Sequence, residues 1–187
     1  VMILAGFGTV ALAGYQIGLR VIMFVLLPAV GLANAAATLV GQNLGANQIE
    51  RAKKGVKVSA LLSNLLLLVG AIPMIIFAKP IVEIFSPDPV VTQQGVDYLI
   101  LITATIPLMA FFSIFIGTFQ GAGHTVMAMM IQLGRLWLLR IPCIYLLMKL
   151  FPNSPSAIWY SMIISNFLTA IVGYLFYKSD KWVTPVH

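Results

Sequence analysis

Residues 12–57 read LAGYQIGLRVIMFVLLPAVGLANAAATLVGQNLGANQIERAKKGVK, and this stretch decides the fold class. From 12 to 44 the only charged residue is Arg20. Crossing about 30 Å of hydrocarbon takes about 20 helical residues, so this run is long enough to span, tilt and project beyond a bilayer. It ends in two glycines and two asparagines within Gly41-Gln42-Asn43-Leu44-Gly45-Ala46-Asn47, which is turn chemistry. Four cations then follow closely, Arg51, Lys53, Lys54 and Lys57. An apolar span stopped by a turn and a basic cluster is the pattern of a membrane helix reaching a cytoplasmic loop.

The rest of the chain repeats this design. Of its 187 residues 60% are hydrophobic and 9% charged, against about 25% charged in a soluble domain, which needs a solvated surface. Four more runs are long enough to span, at about 56–78, 98–119, 126–151 and 157–177, and residues 1–8 read as the end of a further span belonging to a longer polypeptide. Between them lie Ser86-Pro87-Asp88-Pro89, Gly121-Ala122-Gly123-His124-Thr125 and Phe151-Pro152-Asn153-Ser154-Pro155-Ser156, all short connectors that make consecutive helices antiparallel neighbours. The apolar runs lack period-two alternation, which excludes a barrel. The fold class is all-α, a polytopic transmembrane bundle of five complete spans plus the end of one, over residues 9–187.

Alternating the loops puts 45–57, 121–125 and the tail after Tyr177 on one side, with Arg51, Lys53, Lys54, Lys57, Lys178 and Lys181. The other side holds Lys79 and Lys149 with Glu83, Asp88 and Asp97. The cation-rich side is therefore expected in the cytoplasm. The net charge of +6 so reads as a face for anionic lipid headgroups, and no nucleic-acid partner is expected.

Polar groups inside spans point to function, since each costs free energy unless satisfied. Arg20 is near a helix start, from which a long side chain reaches the headgroups. Arg135 and Arg140 are deeper, where an arginine costs roughly 2.5–3.5 kcal/mol, so a wet cavity or a partner is expected. Gln132 and Arg135, three apart, share a helix face that Leu139 and Arg140 approximately continue. Asn34 lies among small residues and suits either an inter-helix hydrogen bond or a cavity wall; Ser63 and Asn64 read as glue between helices. Pro28, Pro73, Pro107 and Pro142 put a backbone break in four of the five spans, as in proteins whose helices bend.

Catalysis has little to stand on. Glu50, Glu83, Asp88, Asp97 and Asp180 all lie at or beyond span ends, His124 is in a connector and His187 is terminal. The single cysteine, Cys143, reads as a small packing residue. Neither a metal-binding spacing nor a phosphate loop is present, so an enzyme is not expected.

Several segments, taken in order, resemble one family. Pro28-Ala29-Val30-Gly31, Ala35 to Thr38, Leu39-Val40-Gly41-Gln42-Asn43-Leu44-Gly45-Ala46 and Arg51-Ala52 resemble the second-helix signature that each lobe of a multidrug and toxic compound extrusion (MATE) transporter carries. Ile84-Phe85-Ser86-Pro87-Asp88-Pro89-Val90 is similar to that family's outer loop before a helix starting near Tyr98. Phe119-Gln120-Gly121-Ala122-Gly123-His124-Thr125 is similar to its glycine-rich inner connector. Trp137, Arg140-Ile141-Pro142 and Tyr145-Leu146-Leu147 resemble its penultimate helix.

The resemblance implies the C-terminal six-helix lobe of a twelve-helix, two-lobe transporter, with the end of helix 7 and all of helices 8 to 12. It further implies a secondary active antiporter that exports amphipathic organic cations, or drugs, against Na⁺ or H⁺. Its partners would be membrane lipid and the N-terminal lobe, and no cofactor is implied beyond the coupling ion. Some members carry a carboxylate midway along helix 10. Here that position falls near Met109, with no acid in the span, so coupling is expected to reside mainly in the other lobe. Residues expected along the substrate pathway are Gln16, Asn34, Met109, Phe112, Gln120, Gln132, Arg135 and Arg140. Two alternatives remain: a flippase of lipid-linked oligosaccharides from the same superfamily, which Arg135 and Arg140 would suit, and a membrane subunit that transports nothing.

Overall fold

The computed structural model describes residues 8–151 and 156–184. Residues 1–7, assigned above to the end of a span, the connector residues 152–155 and His187 lie outside the described residues. Helix α1 covers Thr9–Gly45, α2 Ile49–Ile76, the short α3 Ala78–Glu83, α4 Pro89–Thr103 and α5 Ile106–Gly121. Helix α6 covers Thr125–Leu150 and α7 Ser156–Lys178, followed by one 3₁₀ turn, Lys181–Val183. Among the described residues there is no strand.

Side chains are sorted as a membrane solvent demands. On α2 the outward residues are Leu61, Leu62, Leu65, Leu66 and Val69, while Ala60, Ser63, Asn64, Leu67 and Ala71 are buried. Large apolar groups thus face outward, and small or polar ones meet other helices, where they allow close approach and hydrogen bonding. Among the described residues, four helices are long and apolar enough to cross a bilayer.

The fifth crossing is made in two pieces, α4 and α5, which meet at 53°. An unbroken span over 98–119 is therefore replaced by a longer, bent one. It starts at Pro89 because Asp88 caps the helix, its Oδ1 accepting from the Val90 and Val91 amides at 2.8 and 3.4 Å; proline at the first turn forfeits no helical bond. It breaks after Thr103 because Pro107 has no N–H to give the Thr103 carbonyl, and its ring crowds that position.

Helix α1 is the axis of the bundle and packs on α2, α4 and α5. The α1–α5 crossing is close enough to require glycine. A Cβ on Gly117 would come within 2.3 Å of the Ala33 carbonyl oxygen, and one on Gly121 within 2.1 Å of that of Ala37. Pro28 lies within α1, which continues through it.

The three segments read above as one side do gather at one end of the bundle. Lys53 Nζ is 2.7 Å from Asp180 Oδ2, and a His124 ring nitrogen is 3.0 Å from the Thr184 carbonyl. Trp182 is fully buried, stacks on Tyr177 with centroids 5.6 Å apart, and donates its indole N–H to the Tyr177 carbonyl at 3.0 Å.

Candidate functional site

The polar interior is organised around α6. Its first part, Thr125–Gly134, is α-helical, and Arg135–Arg140 is a π-helical stretch running into Pro142. Pro142 cannot donate to the Leu138 carbonyl, so the regular ladder fails there. The i→i+5 turn is wider than the 3.6-residue α-turn, so residues five apart lie closer to one face than in an α-helix. Arg135 and Arg140, which an α-helix would splay apart, are thereby turned to one side, and the stretch packs on α7.

Arg140 is the anchored one. Its Nε donates to Ser165 Oγ at 3.2 Å and its Nη2 to Asn166 Oδ1 at 3.1 Å. Asn166 Nδ2 donates onward to Thr105 Oγ1 at 3.3 Å, and Thr105 Oγ1 donates to the Ile102 carbonyl at 2.7 Å. A single network thus ties α6 and α7 to the break between α4 and α5. Each hydrogen bond to a charged group is worth roughly 1.5–3 kcal/mol. Two of them offset the roughly 2.5–3.5 kcal/mol cost of an arginine at mid-span.

Arg135 is not balanced in this way. Its guanidinium carbon is 4.9 Å from the centroid of the buried Phe112 ring, a cation–π contact worth about 0.5–2 kcal/mol. Its Nε is buried and has no hydrogen-bond partner. No carboxylate compensates either arginine: the two ion pairs among the described residues, Lys53–Asp180 and Lys79–Glu83, lie at the bundle ends.

Two clefts flank α7. One, of about 320 Å³, lies between α6 and α7, and Arg135 is the only charged residue lining it, beside Ile131, Leu138, Thr169 and Val172. The other, of about 570 Å³, lies among α2, α5 and α7, lined by Leu61, Phe111, Phe115 and Tyr174 with Lys57 as its charged residue. Towards the opposite end from Lys57, Tyr15, Tyr98 and Trp159 close an aromatic cluster, with centroids 4.8–5.7 Å apart.

Of the eight pathway candidates, the structure brings together Phe112 and Arg135, and places Arg140 on the same side of α6. Met109 is half-buried on α5 just past the break; its carbonyl accepts from Ser113 Oγ at 2.9 Å. Gln16 is half-buried on α1. Asn34, Gln120 and Gln132 are exposed at separate places, on α1, at the end of α5 and on α6, and none of the four carries a side-chain hydrogen bond in the structure. Thr105, Ser165 and Asn166 are central to the network but not among those candidates. For Ser165 a signal was available: Ser161, Ser165 and Thr169, at a spacing of four, put a polar stripe on one face of α7.

Comparison with known proteins bears on this arrangement. Residues 1–146 match the family model described as MatE. The chain is 30% identical over 179 residues to the probable multidrug resistance protein NorM of Thermotoga maritima, covering 94% of this chain and 38% of that protein. It thus spans about two-fifths of the length of that relative. Its fold is similar to an inward-facing conformation of a multidrug resistance MATE family transporter of the MOP superfamily, with TM-score 0.83 at 18% identity over 92% of this chain and 42% of that one. The outward-facing conformation of such a transporter gives 0.84 at 19% identity, over 92% and 41%.

Proposed function

Since the chain belongs to the MatE family, we propose that it is one lobe, the C-terminal one, of a secondary active exporter that moves amphipathic compounds out of the cell against an inward flow of Na⁺ or H⁺. The observation that carries this reading is the lobe's equal likeness to inward-facing and outward-facing transporter folds. A half that keeps its own packing in both states is what alternating access by rigid rocking of two lobes requires. The tight α1–α5 crossing and the Arg140–Asn166–Thr105 network supply that rigidity here.

The partner of this lobe is the other half of the same transporter, and its solvent is the lipid of a cell membrane. The end bearing Arg51, Lys53, Lys54, Lys57 and Lys178 faces the cytoplasm, where cation-rich loops are retained. The carboxylates in the described spanning helices are Glu50, in the first turn of α2, and Asp97, exposed in α4 and paired with Gln93; neither is in a buried mid-span site, so the acids that bind the coupling ion belong to the other lobe. The expectation of an organic-cation substrate gains no support from this half, whose mid-span charges are all positive.

The test is accumulation of a broad panel of amphipathic dyes in cells that lack their own efflux pumps and express the full-length protein. Lower accumulation that returns to control when the Na⁺ or H⁺ gradient is collapsed supports the reading. Accumulation unchanged across the panel, with protein present in the membrane, overturns it.

A further inference from the structure

Arg135 combines three features that no structural role accounts for. It sits about 15 Å along α6 from Thr125, which is mid-depth in a bilayer whose hydrocarbon is about 30 Å thick. Its Nε is buried without a hydrogen-bond partner. It is also the only charged group lining the cleft between α6 and α7, whose other walls are apolar apart from Thr169. The neighbouring cation, Arg140, is held by neutral partners, Ser165 and Asn166, so the positive charge of both remains uncompensated among the described residues.

We propose that this cleft binds an amphipathic organic anion, with a carboxylate or phosphate on the Arg135 guanidinium and an apolar body against Ile131, Leu138 and Val172. An anionic oxygen supplies what the site lacks, an acceptor for Nε and a countercharge. The planar guanidinium accepts such groups through two parallel hydrogen bonds. Phe112, whose ring centroid is 4.9 Å from the guanidinium carbon, helps hold the group at the cleft. Depth selects the occupant: the phosphate of a bilayer lipid lies at the interface, roughly 15 Å from the level of Arg135, so the anion is a solute entering the cleft. The inference rests on the exporter reading and names its substrate class, organic anions, in place of the organic cations expected from the resemblance.

The experiment uses full-length protein in nanodiscs of phosphatidylcholine. Two fluorescent probes share one apolar body, pyrenebutyrate as the anion and a pyrene trimethylammonium compound as the cation. Pyrenebutyrate is expected to bind the more tightly. Arg135→Gln, which keeps one neutral donor, should weaken it roughly 10- to 100-fold, the loss of one charge-assisted hydrogen bond, and leave the cation unaffected. Arg135→Lys should retain part of the affinity. Val172→Phe, which fills the cleft from α7 and leaves the charge in place, should also abolish binding and serves if Arg135→Gln does not fold.

Pyrenebutyrate binding that neither Arg135→Gln nor Val172→Phe alters overturns the proposal, as does tighter binding of the cation. Displacement of the probe by phosphatidylglycerol in the nanodisc, dependent on Arg135, assigns the cleft to lipid and overturns it too. Binding at Arg135 without any gradient-driven movement leaves this inference standing and refutes the exporter reading. Gradient-driven movement of the cation alone does the reverse.

Discussion

Replacing Gly121 by alanine tests the packing on which the rigid lobe depends. The added Cβ would fall 2.1 Å from the Ala37 carbonyl oxygen and 2.7 Å from the carbonyl carbon and Cα, where ordinary contact begins near 3.4 Å. The neighbour is helix backbone, so no rotamer change relieves the overlap, and α1 and α5 must separate by about 1 Å. Overpacking of this kind costs about 1–3 kcal/mol, and the absence of a flexible neighbour places it near the top of that range. Gly121 is the last residue of α5, so alanine returns less than the ~1 kcal/mol of an interior site, leaving a net loss of about 2 kcal/mol or more, a factor of at least about 30 in the folded ratio.

Gly31 on α1 is the internal control, because a Cβ there meets nothing within 4 Å. Gly31→Ala should gain the propensity alone and stabilise by about 1 kcal/mol. The assay is denaturation of the full-length protein in mixed micelles by increasing sodium dodecyl sulfate, followed by far-ultraviolet circular dichroism. The two variants are expected to shift the midpoint in opposite directions. Equal shifts, or a Gly121→Ala midpoint at the wild-type value, would show that α1 and α5 do not cross as closely as described.

Five other substitutions separate the remaining claims. Asn166→Leu removes the acceptor of Arg140 Nη2 and the donor to Thr105 together, and should destabilise by about 3 kcal/mol; Thr105→Val, which leaves Arg140 both of its bonds, should cost about 1 kcal/mol in the same denaturation assay, and equal costs would dissolve the network. Trp182→Ala empties a fully buried site and should release the segment after Lys178 to limited proteolysis, at a cost of about 3–5 kcal/mol, whereas Asp180→Asn, whose side chain is 56% exposed, should leave the cleavage pattern as it was. Asp88→Ala removes the cap of α4, at about 1 kcal/mol, and should speed hydrogen exchange at the Val90 and Val91 amides without changing the amides of α5.

That the chain is a row of long apolar helices was legible in the sequence because bilayer thickness converts directly into a length of apolar chain. The bend within the third was only half legible: Pro107 marks a break, but whether a proline bends a helix depends on its neighbours, and Pro28 sits inside an unbroken α1. The π-helical stretch could not be read, since Arg-Leu-Trp-Leu-Leu-Arg is ordinary helical sequence and only packing on α7 reveals the wider turn. The cap at Asp88 had a signal in the Pro89 that follows it, but the apolar run itself places the start of the span near 98. Ser165 carried its signal in a spacing of four with Ser161 and Thr169, which is weaker than a charge and easily passed over beside two arginines, and Asn166 stood next to that stripe without belonging to it. Exposed Asn34, Gln120 and Gln132 illustrate the converse, since polarity within an apolar run says that a group needs a partner and not where the partner is.

The most direct test of the account is transport by the purified full-length protein in sealed proteoliposomes, with pyrenebutyrate on one side and a Na⁺ or H⁺ gradient imposed from the other. The account predicts movement of the anion against the flow of one of these ions, stopped by collapsing that gradient and strongly reduced in Arg135→Gln. Movement at the same rate with no gradient, or none under either ion with the protein folded and correctly inserted, would contradict it.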